Sequence, residues 1–282
     1  MKNSSINKIY NLSSIITMII MSYFVIGCNT DNKQKIDQPN WQLTWSDEFN
    51  GSAGQLPDAS KWNYDLGNGG WGNQELENYT KNPENVSLDG SGNLVITAKS
   101  ENLAGSSFTS ARIKTQNLFS QTYGRFEARL KTPYGPGIWP AFWMLGSNAQ
   151  TETWPKCGEM DIMELKGQQP NINHGSIHGP GYSGGSAITD SYALLNNRFD
   201  SDYHVFAMEW NADKIDFFVD GYLYERIQKN DVSAKGQWVY DHPFYLILNV
   251  AVGGNFVGFP TAQTPLPQKM IVDYVRVYKQ VN

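Results

Sequence analysis

The chain has 282 residues, a formal net charge of −5 and 13% aromatic residues, nine of them tryptophan. Its mild acidity and the lack of a basic patch argue against nucleic acid as a partner. Two cysteines, Cys28 and Cys157, are too few for a disulfide-stapled scaffold.

Lys2 and Lys8 precede an apolar run over 15–26, too short to span a bilayer as a helix and suited to the core of a signal peptide, here residues 1–27. The run closes with Val25-Ile26-Gly27-Cys28, which resembles a bacterial lipobox. In that reading Cys28 is lipidated and tethers the chain to the bacterial cell envelope, at the outer membrane or cell surface. The alternative is an ordinary signal peptide with an incidental cysteine. Lipidation of Cys28 leaves Cys157 without a disulfide partner, as a buried thiol beside the acidic strand described below. Residues 29–40 are rich in Asn, Asp, Lys and Gln, so 28–40 reads as a lipidated cysteine followed by a flexible tether. From Trp41 the composition changes, and 41–282 is large enough for a single domain with a substantial core.

Short β-rich runs follow at 93–99, 124–131, 159–165, 203–210, 214–219, 244–252 and 270–278, separated by Gly, Asn, Pro and Asp clusters. No long helical period interrupts them. Val219-Asp220-Gly221-Tyr222 reads as a tight hairpin, with Asp-Gly supplying the positive φ angles. In 272–278, strict alternation places Val272, Tyr274, Arg276 and Tyr278 on one face and Asp273, Val275 and Val277 on the other. The pattern predicts an all-β fold, a jelly-roll sandwich of two antiparallel sheets.

Within 159–165 the run Glu159-Met160-Asp161-Ile162-Met163-Glu164 puts two glutamates five positions apart. On a helix they would lie about 140° apart and could not act on one bond. On a regular strand Glu159 and Asp161 share a face and Glu164 points away. One extra residue, a β-bulge, returns Glu164 to that face, where like charges raise one another's pKa. Two other readings remain open here: a solvated edge strand, and a metal cluster with His174 and His178.

In company with Trp45-Ser46-Asp47-Glu48-Phe49, Tyr123-Gly124-Arg125-Phe126-Glu127, Gly137-Ile138-Trp139-Pro140-Ala141-Phe142-Trp143, Ile177-His178-Gly179-Pro180-Gly181-Tyr182 and Leu248-Asn249-Val250-Ala251-Val252-Gly253-Gly254-Asn255, this strand resembles glycoside hydrolase family 16 in its laminarinase-like branch. The resemblance covers roughly Trp41 to Tyr278. It implies a retaining endo-glycosidase whose open cleft lies on the concave face of the sandwich, cutting internal β-1,3-glucosidic bonds of laminarin-type glucans, with mixed β-1,3/1,4-glucan as a further substrate. The same chemistry on a red-algal galactan, and a non-catalytic glucan-binding lipoprotein, are the alternatives.

By match to the family motif, Glu159 is the nucleophile, Glu164 the acid/base, and Asp161 hydrogen-bonds Glu159. Retention requires the two glutamate carboxyls roughly 5–5.5 Å apart, with environments that push their pKa values apart. Trp139 and Trp143, four residues apart on an extended segment, would share a face and stack on glucose. His178 would hydrogen-bond Glu164 or the sugar. Arg112, Asn68 and the 71–75 segment, with Asn73 and Glu75, would bind hydroxyls. Asn255-Phe256-Val257-Gly258 departs from the family, which more often carries tryptophan and proline there, so a cleft wall is altered. The resemblance implies no cofactor for catalysis but a structural calcium at Glu48, Gly90 and Asp273. The expected partner is the polysaccharide, with the protein acting as a monomer.

Overall fold

The computed structural model describes residues 39–281. Cys28, the expected signal peptide and the tether up to residue 38 lie outside them. The strands are β1 (Asn40–Asp47), β2 (Asn63–Asp65), β3 (Glu77–Tyr79), β4 (Val86–Leu88), β5 (Leu94–Leu103), β6 (Ser106–Ser110), β7 (Arg112–Lys114), β8 (Gly124–Lys131), β9 (Ile138–Gly146), β10 (Glu159–Glu164), β11 (Ile172–His178), β12 (Ile188–Ala193), β13 (His204–Trp210), β14 (Lys214–Val219), β15 (Tyr222–Gln228), β16 (Phe244–Val252) and β17 (Gln268–Val281). A single turn of α-helix, Lys229–Ser233, follows β15.

Two sheets form the jelly roll. One has seven strands in the order β12-β11-β10-β9-β16-β7-β2; the other has ten, running β15-β14-β13-β8-β17-β5-β6-β3, with β1 on β17 and β4 on β5. All pairings are antiparallel except β3 with β6. The inner faces meet in one core. Phe142, Met144, Met160, Ile162, Leu246, Leu248 and Val250 come from the seven-stranded sheet, and Phe126, Leu130, Phe206, Met208, Val275 and Val277 from the ten-stranded one; all are fully buried. Burying such a side chain is worth roughly 1.5–3 kcal/mol, so alternation along each strand fixes which face turns inward.

The hairpin between β14 and β15 is built as its sequence dictates. Val219 faces Tyr222, and Asp220 and Gly221 take φ of 50° and 81°. The C-terminal strand departs from strict alternation. Its register against β8 shifts between Val272 and Tyr274, so Asp273 is the extra residue of a bulge. Val272 is therefore buried with Val275 and Val277, and Asp273 is only half-buried, not turned into the core. The bulge resolves the awkward inward carboxylate that alternation gives.

It also bears on the calcium expected at Glu48, Gly90 and Asp273. Asp273 is ion-paired to Arg129, and Glu48 accepts two bonds from Arg276 at 2.8 and 2.9 Å. That guanidinium bond, ahead of the opposing desolvation, holds the Glu48 carboxyl below its ordinary range. Both carboxylates already carry a cation, so as side-chain ligands for a second one they do not fit.

Candidate active site

The outward face of the seven-stranded sheet holds the acidic row. Gly158, at φ 74°, leads into β10; a side chain there would meet the Phe244 ring at 2.9 Å. Along β9 the register runs Glu159 with Leu145, Asp161 with Trp143, then Met163 with Phe142 and Glu164 with Ala141. Three residues of β10 thus oppose two of β9. Ile162 and Met163 both enter the core, and Glu164 returns to the face of Glu159 and Asp161. Against β11 the same slip pairs Glu159 with His178 and Glu164 with His174.

Register carries the site across the sheet. Asp65, Arg112, Asn249, Ala141, Glu164 and His174 are successive cross-strand neighbours, one row spanning β2 to β11. Trp139 and Trp143 lie on the same face of β9, at even offsets from Ala141. Neither indole is free at its nitrogen. Trp139 Nε1 donates to Glu164 Oε1 at 2.9 Å, and Trp143 Nε1 donates to Asn249 Oδ1 at 2.8 Å.

Behind Trp143 a buried chain of hydrogen bonds continues. Asn249 Nδ2 donates to Tyr79 Oη at 3.2 Å, Tyr79 Oη donates to Glu75 Oε2 at 2.9 Å, and Asn73 Nδ2 donates to Glu75 Oε1 at 3.0 Å. Arg112 lies between two indoles, its guanidinium 4.7 Å from the Trp143 ring and 5.3 Å from Trp71, with Nε 3.0 Å from Asp65. Asn68 and Glu75, expected to bind hydroxyls, line one surface recess and also bond within the scaffold. Asn68 donates to the Ala104 carbonyl and Ser106 Oγ, clamping the β5–β6 hairpin, and buried Glu75 has both oxygens occupied.

His178 also differs from expectation. Its Nε2 lies 3.0 Å from Asp161 Oδ2 and 3.6 Å from Glu159 Oε1, beside the nucleophile candidate and not Glu164. The Gly184 N–H donates to Nδ1 at 3.0 Å, which assigns the proton of the neutral ring to Nε2. A nitrogen that carries a proton is a donor and not a metal ligand. This speaks against a resident ion, although Glu159, Asp161 and His178 are the three groups among the described residues close enough to share one. The approach to Asp161 is poorly aligned, so Oδ2, on a residue only 5% exposed, lacks a full hydrogen bond. Nor is there a direct bond between Asp161 and Glu159; they interact through charge.

Burial dominates the electrostatics. Glu159, Asp161 and Glu164 are each pushed up to about 8 by desolvation, with the Asp161 charge adding at both glutamates. The glutamates are not split by their surroundings, as the two roles would suggest; the three carboxyls rise together and titrate as one unit. Near neutral pH such a unit retains protons. Cys157, fully buried just ahead of Glu159, is pushed up to about 11 by desolvation and then by the Glu159 charge, so its thiol stays protonated and inert.

Sequence reasoning missed several residues here. Trp154 is 47% exposed and its ring lies 6.0 Å from His178; the signal available was an indole five positions ahead of Glu159. Tyr79 and Asn249 have no local signal, since they meet only through pairing of distant strands. Lys166 and His174 converge with Phe256 beside Glu164, an arrangement likewise decided by tertiary contact.

Comparison with known proteins agrees with this geometry. The profile of glycosyl hydrolases family 16 matches residues 73–276. The chain is 42% identical over 268 residues to a beta-glucanase of Rhodothermus marinus, covering 92% of each. It superposes on an endo-β-1,3-glucanase from Pyrococcus furiosus with a TM-score of 0.83 at 46% identity, covering 88% of this chain and 97% of that one. The laminarinase catalytic domain from Thermotoga petrophila gives a TM-score of 0.83 at 44% identity, over 87% and 100%.

The raised carboxyls make a stability prediction. A group that titrates near 8 when folded and near 4 when unfolded stabilises the fold fully below about pH 4, and that contribution fades as pH rises towards 8. Glu164→Gln should therefore unfold at a higher temperature than the parent protein at pH 8, with the gap closing towards pH 4. Its growth with pH is at most ~1.4 kcal/mol per unit, read by thermal or urea unfolding across that range.

Proposed function

Because the chain belongs to glycoside hydrolase family 16, we infer that it cleaves internal β-1,3-glucosidic bonds of laminarin-type β-glucan by a retaining double displacement. The observation that carries this reading is the bulge at Ile162, which brings Glu159 and Glu164 to one face. Glu159 attacks the anomeric carbon while Glu164 protonates the departing oxygen. Glu164, then ionised, takes a proton from water, and that water releases the glycosyl-enzyme with overall retention. Desolvation raises all three carboxyls alike, so the cluster holds the proton that a general acid must deliver. Trp139, Trp143 and Trp154 offer flat apolar faces to glucose rings. Hydrolysis needs no cofactor, and the site is built from strands of one chain, so a monomer suffices.

A red-algal galactan with anionic substituents would call for cations along the cleft. The guanidinium of Arg112 is instead held by Asp65 and stacked between indoles. A binding-only role leaves the costly burial of three carboxyls without purpose. Incubated with laminarin, lichenan, agar and carrageenan, the protein should release laminari-oligosaccharides from the first, tolerate the second and leave the galactans intact. Release from agar alone would overturn the assignment.

The two glutamate roles separate by azide rescue on an activated aryl β-laminaribioside. Glu159→Ala should yield the α-glycosyl azide, because azide replaces the missing nucleophile, and Glu164→Ala the β-azide, because azide intercepts the glycosyl-enzyme. The opposite products would exchange the roles.

We also read the protein as a lipoprotein of the bacterial cell envelope, on the strength of Lys2 and Lys8, the apolar run and the Val25-Ile26-Gly27-Cys28 segment. The polar stretch before Trp41 would let the domain reach an extended polysaccharide. Cys28→Ser should move the protein from the membrane to the soluble fraction with its glucanase activity intact, as fractionation and immunoblotting would record.

A further inference from the structure

Phe256 lies in the loop after β16. The loop is fixed at both ends. The Asn255 N–H donates to the Asn73 carbonyl at 2.8 Å, Gln168 Nε2 donates to the Val257 carbonyl at 2.9 Å, and Val257 is buried. Gly254, at φ 121°, lets the backbone pass close to Trp139. Between these anchors the Phe256 ring meets three partners. Its centroid is 5.3 Å from Trp139, 5.6 Å from His174 edge to face, and 4.6 Å from the Lys166 ammonium.

All three partners surround Glu164. Trp139 donates its indole proton to Oε1, His174 is the cross-strand neighbour on β11, and Lys166 follows two residues later. We propose that Phe256 is a positioning residue for the acid/base: it completes an apolar housing with Trp139 and His174 that keeps water from Glu164, and it holds the Lys166 cation in place. The housing favours the protonated carboxyl, whereas Lys166 favours the ionised one, so the ring balances two opposed influences. The other charged or titratable groups facing Glu164 are Asp161 and Glu159 on its own strand and His174 and His178 on β11. His174 Nε2 is buried without a partner, and desolvation followed by the Lys166 charge lowers its pKa, so the imidazole facing the housing is neutral.

This inference rests on Glu164 being the acid/base, and the test separates the two. On laminarin at pH 7, Phe256→Ala should lose about 10- to 100-fold in kcat, a part of the roughly 100- to 10,000-fold that a general acid supplies. On a 2,4-dinitrophenyl β-laminaribioside, whose leaving group needs no proton, the loss should stay within about threefold. The alkaline limb of kcat/KM should move to lower pH in Phe256→Ala, stay in place in Phe256→Trp, and move to higher pH in Lys166→Gln, which removes the cation and keeps the ring. An unmoved limb in Phe256→Ala, or equal losses on both substrates, would overturn the proposal. Should Phe256→Ala fail to fold, Lys166→Gln still decides it: a limb displaced downward or not at all defeats the balance described. Failure of the acid/base reading itself shows separately, as Glu164→Ala retaining its rate on laminarin.

Discussion

A β-strand repeats every two residues, and the glutamates of β10 are an odd number apart. That mismatch is the constraint on which the site depends. One residue must leave the ladder for both carboxyls to face the cleft, and Ile162 does so because the core accepts it. Ile162 and Met163 are both fully buried, so the apolar surface gained in the core stabilises a backbone irregularity that the ladder alone would disfavour. The same burial that holds the bulge closes the cleft floor around the acids. The site and the core are consequences of one packing arrangement.

Crowding three carboxyls in that floor costs stability above acidic pH, and the fold answers with rigidity. Trp143 is tied through Asn249 and Tyr79 to Glu75, while Glu77, fully buried nearby, accepts the Val252 N–H at 2.6 Å. Desolvation, then the Glu75 charge, holds the Glu77 carboxyl well above its ordinary range. Its function is support. A buried network that is nearly satisfied holds one conformation, and an aromatic platform for a sugar is effective only if it is already in place before the sugar arrives. His178 shows the same economy: one backbone N–H from Gly184 sets its tautomer and thereby its orientation toward Asp161.

The sequence by itself determined the class of fold, most of the longer strands and the need for a bulge in β10, because period-two alternation and a five-residue offset are local facts. The Asp-Gly hairpin was equally legible, since its φ values belong to two adjacent residues. A second bulge, at Asp273, was not, because alternation gives no warning until β8 fixes the register of β17. Nor could spacing reveal that Glu48 and Asp273 meet arginines from distant strands, that Glu75 joins a chain of bonds leading to Trp143, that His178 sits by Asp161, or that Phe256 packs against Trp139 and His174. Each of those depends on which strands become neighbours. Charges and hydrogen bonds act over a few ångströms, and only the folded chain brings residues so far apart in sequence within that reach.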